Sequence, residues 1–141
     1  AFHAFYLSNL TVHTDLYDGV ADGLRALAAA GHQLAVLTNK PGEPCRAILT
    51  RFGLIDLFSA VVGGGDVPSL KPDPEGLRAC LARAGAAASD AWMVGDHCTD
   101  LAVAENAGVR SAFVTYGFGE QRGLKPTAYF ASFPELIGYF V

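Results

Sequence analysis

Two aspartates four residues apart, Asp96 and Asp100, follow directly on a short apolar run, Trp92-Met93-Val94-Gly95. Ala91 to Val94, closed by Gly95, reads as a parallel strand covered on both faces. Thr99 through Ala107 has alanine-rich helical spacing and stops at Gly108. Asp96 is therefore expected at the C-terminal end of a strand and Asp100 in the first turn of a helix. Ligands of open α/β sheets bind in that crevice, and two carboxylates there suit a hard divalent cation such as Mg2+. The same spacing also fits plain helix capping, with Asp96 or Thr99 as N-cap and Asp100 favouring the helix dipole. The stretch by itself does not separate the two.

Two further segments deliver polar groups to positions of the same kind. Gln33 to Lys40 (QLAVLTNK) reads as a second buried strand, ending at Thr38 and Asn39. A hydroxyl and an amide are neutral donors that can bind phosphate oxygens, although an ordinary asparagine turn ahead of Pro41 and Gly42 has the same sequence. Lys71, in Leu70-Lys71-Pro72-Asp73-Pro74, is held extended by the proline after it, and Pro74 opens a helix over Glu75 to Ala84. A lysine on so rigid a turn suits a fixed ammonium facing phosphate and carboxylates; a solvated surface lysine is the plain alternative. Asp15 and Asp18 read instead as turn and N-cap residues, because no apolar strand precedes them.

The elements that must position these groups are legible around them. Helices are expected over Ala21 to Ala30, closed by Gly31, and Glu43 to Phe52, closed by Gly53; a last one runs from Pro134 to about Phe140, capped by Ser132. Ala60 to Gly65 (AVVGGG) is a third strand running into glycines, with neither nucleotide-loop pattern present. Ser111 to Thr115 is another strand, Tyr116 to Gly119 a loop, and Tyr129 to Ala131 a short edge strand. The aromatic and leucine positions Phe2, Phe5, Tyr6 and Leu10 fit one helical face. Strands alternating with helices at this spacing predict βαβ units and a parallel sheet.

Composition narrows the classes. The 141 residues make one domain with a real core, 51% hydrophobic and 17% charged, which argues against disorder. A net charge of −4 without a basic cluster gives no electrostatic support for nucleic acid or an anionic membrane as partner. No stretch reaches the ~18 to 20 apolar residues of a membrane span. Cys45, Cys80 and Cys98 show no C-x-x-C pair, so reduced thiols and a cytoplasmic location are expected, with Cys98 a bystander at a helix start.

The order of the motifs is more telling than any one of them. A strand ending in Thr38-Asn39, then Lys71-Pro72 ahead of a helix, then Gly95-Asp96-x-x-x-Asp100 resembles the haloacid dehalogenase superfamily of phosphotransfer enzymes. TDLYDGV, LAVLTNKP, VVGGGDVPSLKPDP, VGDHCTD and VTYGFG are similar to local phrases of its phosphoglycolate phosphatase branch. The resemblance covers the chain from about Thr14 to its end. It implies a three-layer Rossmann-like α/β core over residues 14–141. It also implies a Mg2+-dependent phosphatase acting on a small phosphorylated metabolite, 2-phosphoglycolate above all, through an aspartyl-phosphate. Thr38 would bind a phosphoryl oxygen with Asn39 beside it, and Lys71 would neutralise charge between nucleophile and phosphoryl group. Asp96 would be a magnesium ligand, and Asp100 a ligand or the holder of a metal-bound water.

One departure stands out. The family's first motif, an apolar strand ending in D-x-D-G-T that supplies the nucleophilic aspartate, is absent. Residues 1–13 resemble the last helix of the cap domain or a linker, so the chain is expected to be the C-terminal two-thirds of such a protein. The missing strand is central in the family's sheet, between those ending at Thr38 and Gly95. Two apolar edges would then face a slot that is supplied from elsewhere or closed differently. A second departure is His97, where the branch has a small hydroxyl residue; a space-filling role is expected. The competing reading is a catalytically inactive module that binds a partner or forms a homodimer through the slot. A metal-free dehalogenase is disfavoured by the acid pair, and a phosphomutase differs mainly in the cap.

Overall fold

The computed structural model describes residues 3–7, 19–114 and 123–141. Asp15, Asp18 and the Tyr116–Gly119 loop lie outside them. Six strands form one parallel sheet: β1 (Ala4–Leu7), β2 (Gln33–Pro41), β3 (Phe58–Gly64), β4 (Ala91–Gly95), β5 (Arg110–Val114) and β6 (Ala128–Phe130), in the order β3-β2-β1-β4-β5-β6. The α-helices are α1 (Val20–Ala29), α2 (Gly42–Arg51), α3 (Glu75–Ala84), α4 (Cys98–Ala107) and α5 (Phe133–Phe140), with short 3₁₀ turns at Ile55–Leu57 and Ala88–Asp90. The expected α/β architecture is therefore present, with element ends within a residue or two of those read from the sequence.

The correction lies at the start of the chain. The segment expected to be helical is, at Ala4–Leu7, a strand, hydrogen-bonded in parallel to β2 on one side and β4 on the other. It fills the central slot that the sequence left open. The reason is burial on both faces. Phe5 and Leu7 enter the core layer shared with α1, α2 and α5, while Ala4 and Tyr6 enter the layer shared with α3 and α4. A strand covered on both sides reads as a continuous apolar run, and the adjacent Phe5 and Tyr6 fit it; Phe2 and Leu10 lie outside the described residues. With the slot closed, the sheet's free edges are β3 and β6.

The layer formed with α3 and α4 supports the polar residues at the strand ends. α3 is anchored by Leu77 and Cys80 and α4 by Val103 and Ala104, all essentially inaccessible. This places the Lys71 turn, just ahead of α3, over the C-terminal ends of β2 and β4. The glycine cluster after β3 serves backbone approach. A Cβ on Gly63 would run into the main chain of Gly42, and one on Gly64 into the carbonyl of Asn39, so glycine lets the ends of β2 and β3 close together.

Candidate active site

Lys71 and Asp100 form the centre of the crevice. Lys71 Nζ lies 2.6 Å from Asp100 Oδ1, and both side chains are almost wholly buried, at 6% and 3% exposure. The ammonium also donates to the carbonyl of Leu37 at 3.2 Å. Asp100 Oδ2 accepts the N–H groups of Asp96 (3.2 Å) and His97 (3.3 Å). Each Asp100 oxygen thus has a donor, as a buried charge requires. Gly95 makes room for it, because a Cβ there would collide with the Asp100 carboxylate.

The start of α4 explains why that carboxylate points inward. His97 is the N-cap, its Nδ1 accepting the Thr99 N–H at 3.2 Å, and Asp100 at the third helical position closes a capping box onto the His97 N–H. The cap is therefore His97, not the expected Asp96 or Thr99, and the helix begins at Cys98. Capping and site-building are two jobs of one residue, since Asp100 caps with one oxygen and meets Lys71 with the other. Cys98 Sγ sits 3.5 Å from His97 Nδ1. Burial pushes the Cys80 thiol up to about 11 and that of Cys45 upward, which leaves both un-ionised.

Thr38 and Asn39 reach the same place from β2. Thr38 is buried, and its Oγ1 accepts the Lys40 N–H at 3.2 Å, leaving its own hydroxyl proton to donate. It is bracketed by two residues that touch Lys71: Leu37 through its carbonyl and Asn39 through its side chain. Asn39 Oδ1 accepts the Lys71 N–H at 2.7 Å and Asn39 Nδ2 donates to the Lys71 carbonyl at 3.2 Å. All five residues singled out in the sequence thus gather at the C-terminal ends of β2 and β4, Asp96 through its main chain.

Sequence reasoning missed two supports. Asp66, after β3, accepts the Gly63 N–H at 2.8 Å and the Arg46 guanidinium at 3.2 Å. The Gly63 hydrogen bond first, and Arg46 after it, hold the Asp66 carboxyl below its usual range. Asn106, in the last turn of α4, donates to the Pro72 carbonyl at 2.9 Å. The Asp66–Gly63 bond is a local turn contact, but the pairing of Asp66 with Arg46 and that of Asn106 with Pro72 cross 20 and 34 residues of chain, beyond any local window.

A magnesium ion demands six oxygens but is commonly bound by one or two carboxylates, its other ligands being waters and substrate oxygens. Among the described residues no group of three His, Cys, Asp or Glu side chains is placed to hold a metal. Both Asp100 oxygens are engaged by Lys71 and by the Asp96 and His97 N–H groups, so a cation here would fall to Asp96. That donor set fits a largely hydrated ion and not a closed protein cage.

The chain is a parallel α/β core with a buried lysine–aspartate pair over its strand ends. The family model for haloacid dehalogenase-like hydrolases matches residues 2–114, and the chain belongs to that family. It is 43% identical over 120 residues to a phosphoglycolate phosphatase of Rhodospirillum rubrum, covering 85% of this chain and 50% of that protein. With one of Colwellia psychrerythraea it shares 34% over 139 residues, covering 96% and 62%. The crystal structure of a predicted phosphoglycolate phosphatase from Haemophilus somnus superposes with a TM-score of 0.82 at 34% identity, over 89% of this chain and 57% of that one. The chain thus spans about half to three-fifths of the length of these relatives. Among the described residues no helix is long and apolar enough to cross a membrane.

Proposed function

We propose that this chain forms the phosphate-facing part of a Mg2+-dependent phosphoric monoester hydrolase whose substrate is a small phosphorylated metabolite, with 2-phosphoglycolate the leading candidate. The observation that carries the reading is the buried Lys71 ammonium, held against Asp100 beside Thr38 at the strand ends. The names of the relatives support the substrate.

In this reading the Thr38 hydroxyl donates to a phosphoryl oxygen and Lys71 offsets the charge that develops as the phosphoryl group moves. Asn39 holds the Lys71 main chain with both ends of its amide, so its part in phosphate binding is indirect. Asp96 would hold the cation, and Asp100 orients Asp96 and Lys71 together. Bound magnesium would supply positive charge to the phosphoryl oxygens. The nucleophilic aspartate, which would carry the phosphoryl group as an aspartyl-phosphate, would come from a first-motif segment outside this sequence, whose strand would take the central place that β1 holds here. Three unpaired thiols support a cytoplasmic setting.

A second reading has its own observation. β1 takes the central position, and its residues Ala4, Phe5, Tyr6 and Leu7 include no carboxylate. By itself, then, the chain would be an inert module. One experiment weighs both. The isolated chain should show no magnesium-dependent hydrolysis of p-nitrophenyl phosphate or 2-phosphoglycolate, and joining it to a first-motif and cap segment should create that activity. Hydrolysis by the isolated chain would refute the assignment of the nucleophile. A joined protein that folds but leaves both esters intact would refute the phosphatase reading.

A further inference from the structure

We infer that Asn106 is a positioning residue for Lys71, acting with Asn39 as a two-point amide clamp on the turn that presents the lysine. Asn39 engages both the N–H and the C=O of Lys71. Asn106 Nδ2 takes the next carbonyl, that of Pro72, at 2.9 Å. The Asn106 main-chain carbonyl lies 3.4 Å from the Arg78 guanidinium of α3, so the clamp also ties the two helices that flank the turn.

The geometry gives Asn106 more than a loop-tying role. Asp100 and Asn106 stand on the same helix, α4, six residues apart, about 9 Å along its axis. One end of this rigid rod grips the lysine's ammonium and the other grips the carbonyl of the next residue, Pro72. The spacing between the two grips is set by helix geometry, so the ammonium and the turn that carries it are held at a fixed separation by one element. Asn39 adds a third fixed point from β2. A solvent-exposed residue such as Asn106 attracts no notice in a sequence, yet its amide donor is the one link from the end of α4 to the Lys71-Pro72 unit that the structure describes.

The proposal rests on the phosphatase reading only for why Lys71 needs aiming; its test does not need activity. The Lys71 ammonium can be followed by 15N NMR of the whole chain, where a buried, ion-paired NH3+ exchanges slowly with water. Asn106→Asp, nearly isosteric but without the donor, and Asn106→Ala should each raise that exchange about fivefold, the equilibrium worth of one net hydrogen bond. Asn106→Ser, which keeps a donor, should fall between, and Glu105→Ala, on the neighbouring exposed position, should match wild type. Equal exchange in Asn106→Asp, Asn106→Ala and Glu105→Ala would overturn the proposal, whatever the activity. If exchange rises as expected but the joined protein described above hydrolyses no phosphoester, the clamp stands and the phosphatase reading fails. In an active joined protein Asn106→Asp should lower kcat with little change in KM, and a change in KM alone would overturn the positioning role.

Discussion

At the C-terminal ends of β2 and β4, Lys71 and Asp100 are buried as ions and every oxygen of the carboxylate has a donor. At the N-terminal ends of the same sheet, aromatic rings dominate. Phe140 packs edge-on against Phe5 (4.7 Å between centroids) and Trp92 (5.1 Å), His3 stacks on His32 (5.7 Å), and the Arg110 guanidinium lies 4.9 Å from the Trp92 ring centre. There, among the described residues, His3 Nδ1, Trp92 Nε1 and Arg110 Nε find no hydrogen-bond partner. The upper edge spends buried charge on directional contacts that fix a lysine; the lower edge gains its stability from ring packing and tolerates loose polar atoms. His32 is the exception below. Its Nδ1 accepts the His3 N–H at 2.9 Å and its Nε2 donates to the Phe140 carbonyl at 3.0 Å, joining β1 to the last helix.

The difference can be broken most forcefully from above. Lys71→Met should destabilise the chain by about 3–5 kcal/mol in urea unfolding, because it strands Asp100 as a buried unpaired charge. The double variant Lys71→Met/Asp100→Leu should lose less than the single one, as removing both ions ends that penalty. His32→Leu is the strongest counterpart below and should cost about 2 kcal/mol, since it leaves the His3 N–H and Phe140 C=O without their partner. Gly95→Ala should cost about 1–3 kcal/mol by forcing the Asp100 carboxylate aside, and should speed exchange of the Lys71 ammonium as well.

The smallest effect sharpens the comparison through pH. Burial first, then the charges of Arg110 and His32, hold His3 below the ordinary histidine value of 6.5. A histidine kept neutral in the fold contributes stability that is complete above the unfolded value and lost as pH falls through the folded one. Stability should therefore decline below pH 6.5 with a component that His3→Gln removes, measured as the difference between the two urea-unfolding profiles.

Much of this was legible in advance where one rule governed one segment. α3 begins where Pro74 predicts, and Ser132 caps α5 by accepting the Glu135 N–H at 3.2 Å. β1 was misread because a fully buried strand and a helix face share the spacing of its aromatics, and only pairing with β2 and β4 decides between them. The strand-end positions of Thr38, Asn39 and Asp96 followed from apolar runs that stop abruptly. What the sequence left out was who holds whom. The grip of Asn39 on Lys71 and the pairing of Lys71 with Asp100 cross 32 and 29 residues of chain.

The most direct test of the account is a crystal structure of the chain soaked with Mg2+ and orthovanadate as a phosphate mimic. The account predicts the anion's oxygens within about 2.7–3.2 Å of both Thr38 Oγ1 and Lys71 Nζ, with the cation on the Asp96 carboxylate. An anion bound on another face of the sheet, touching neither the hydroxyl nor the ammonium, would contradict it.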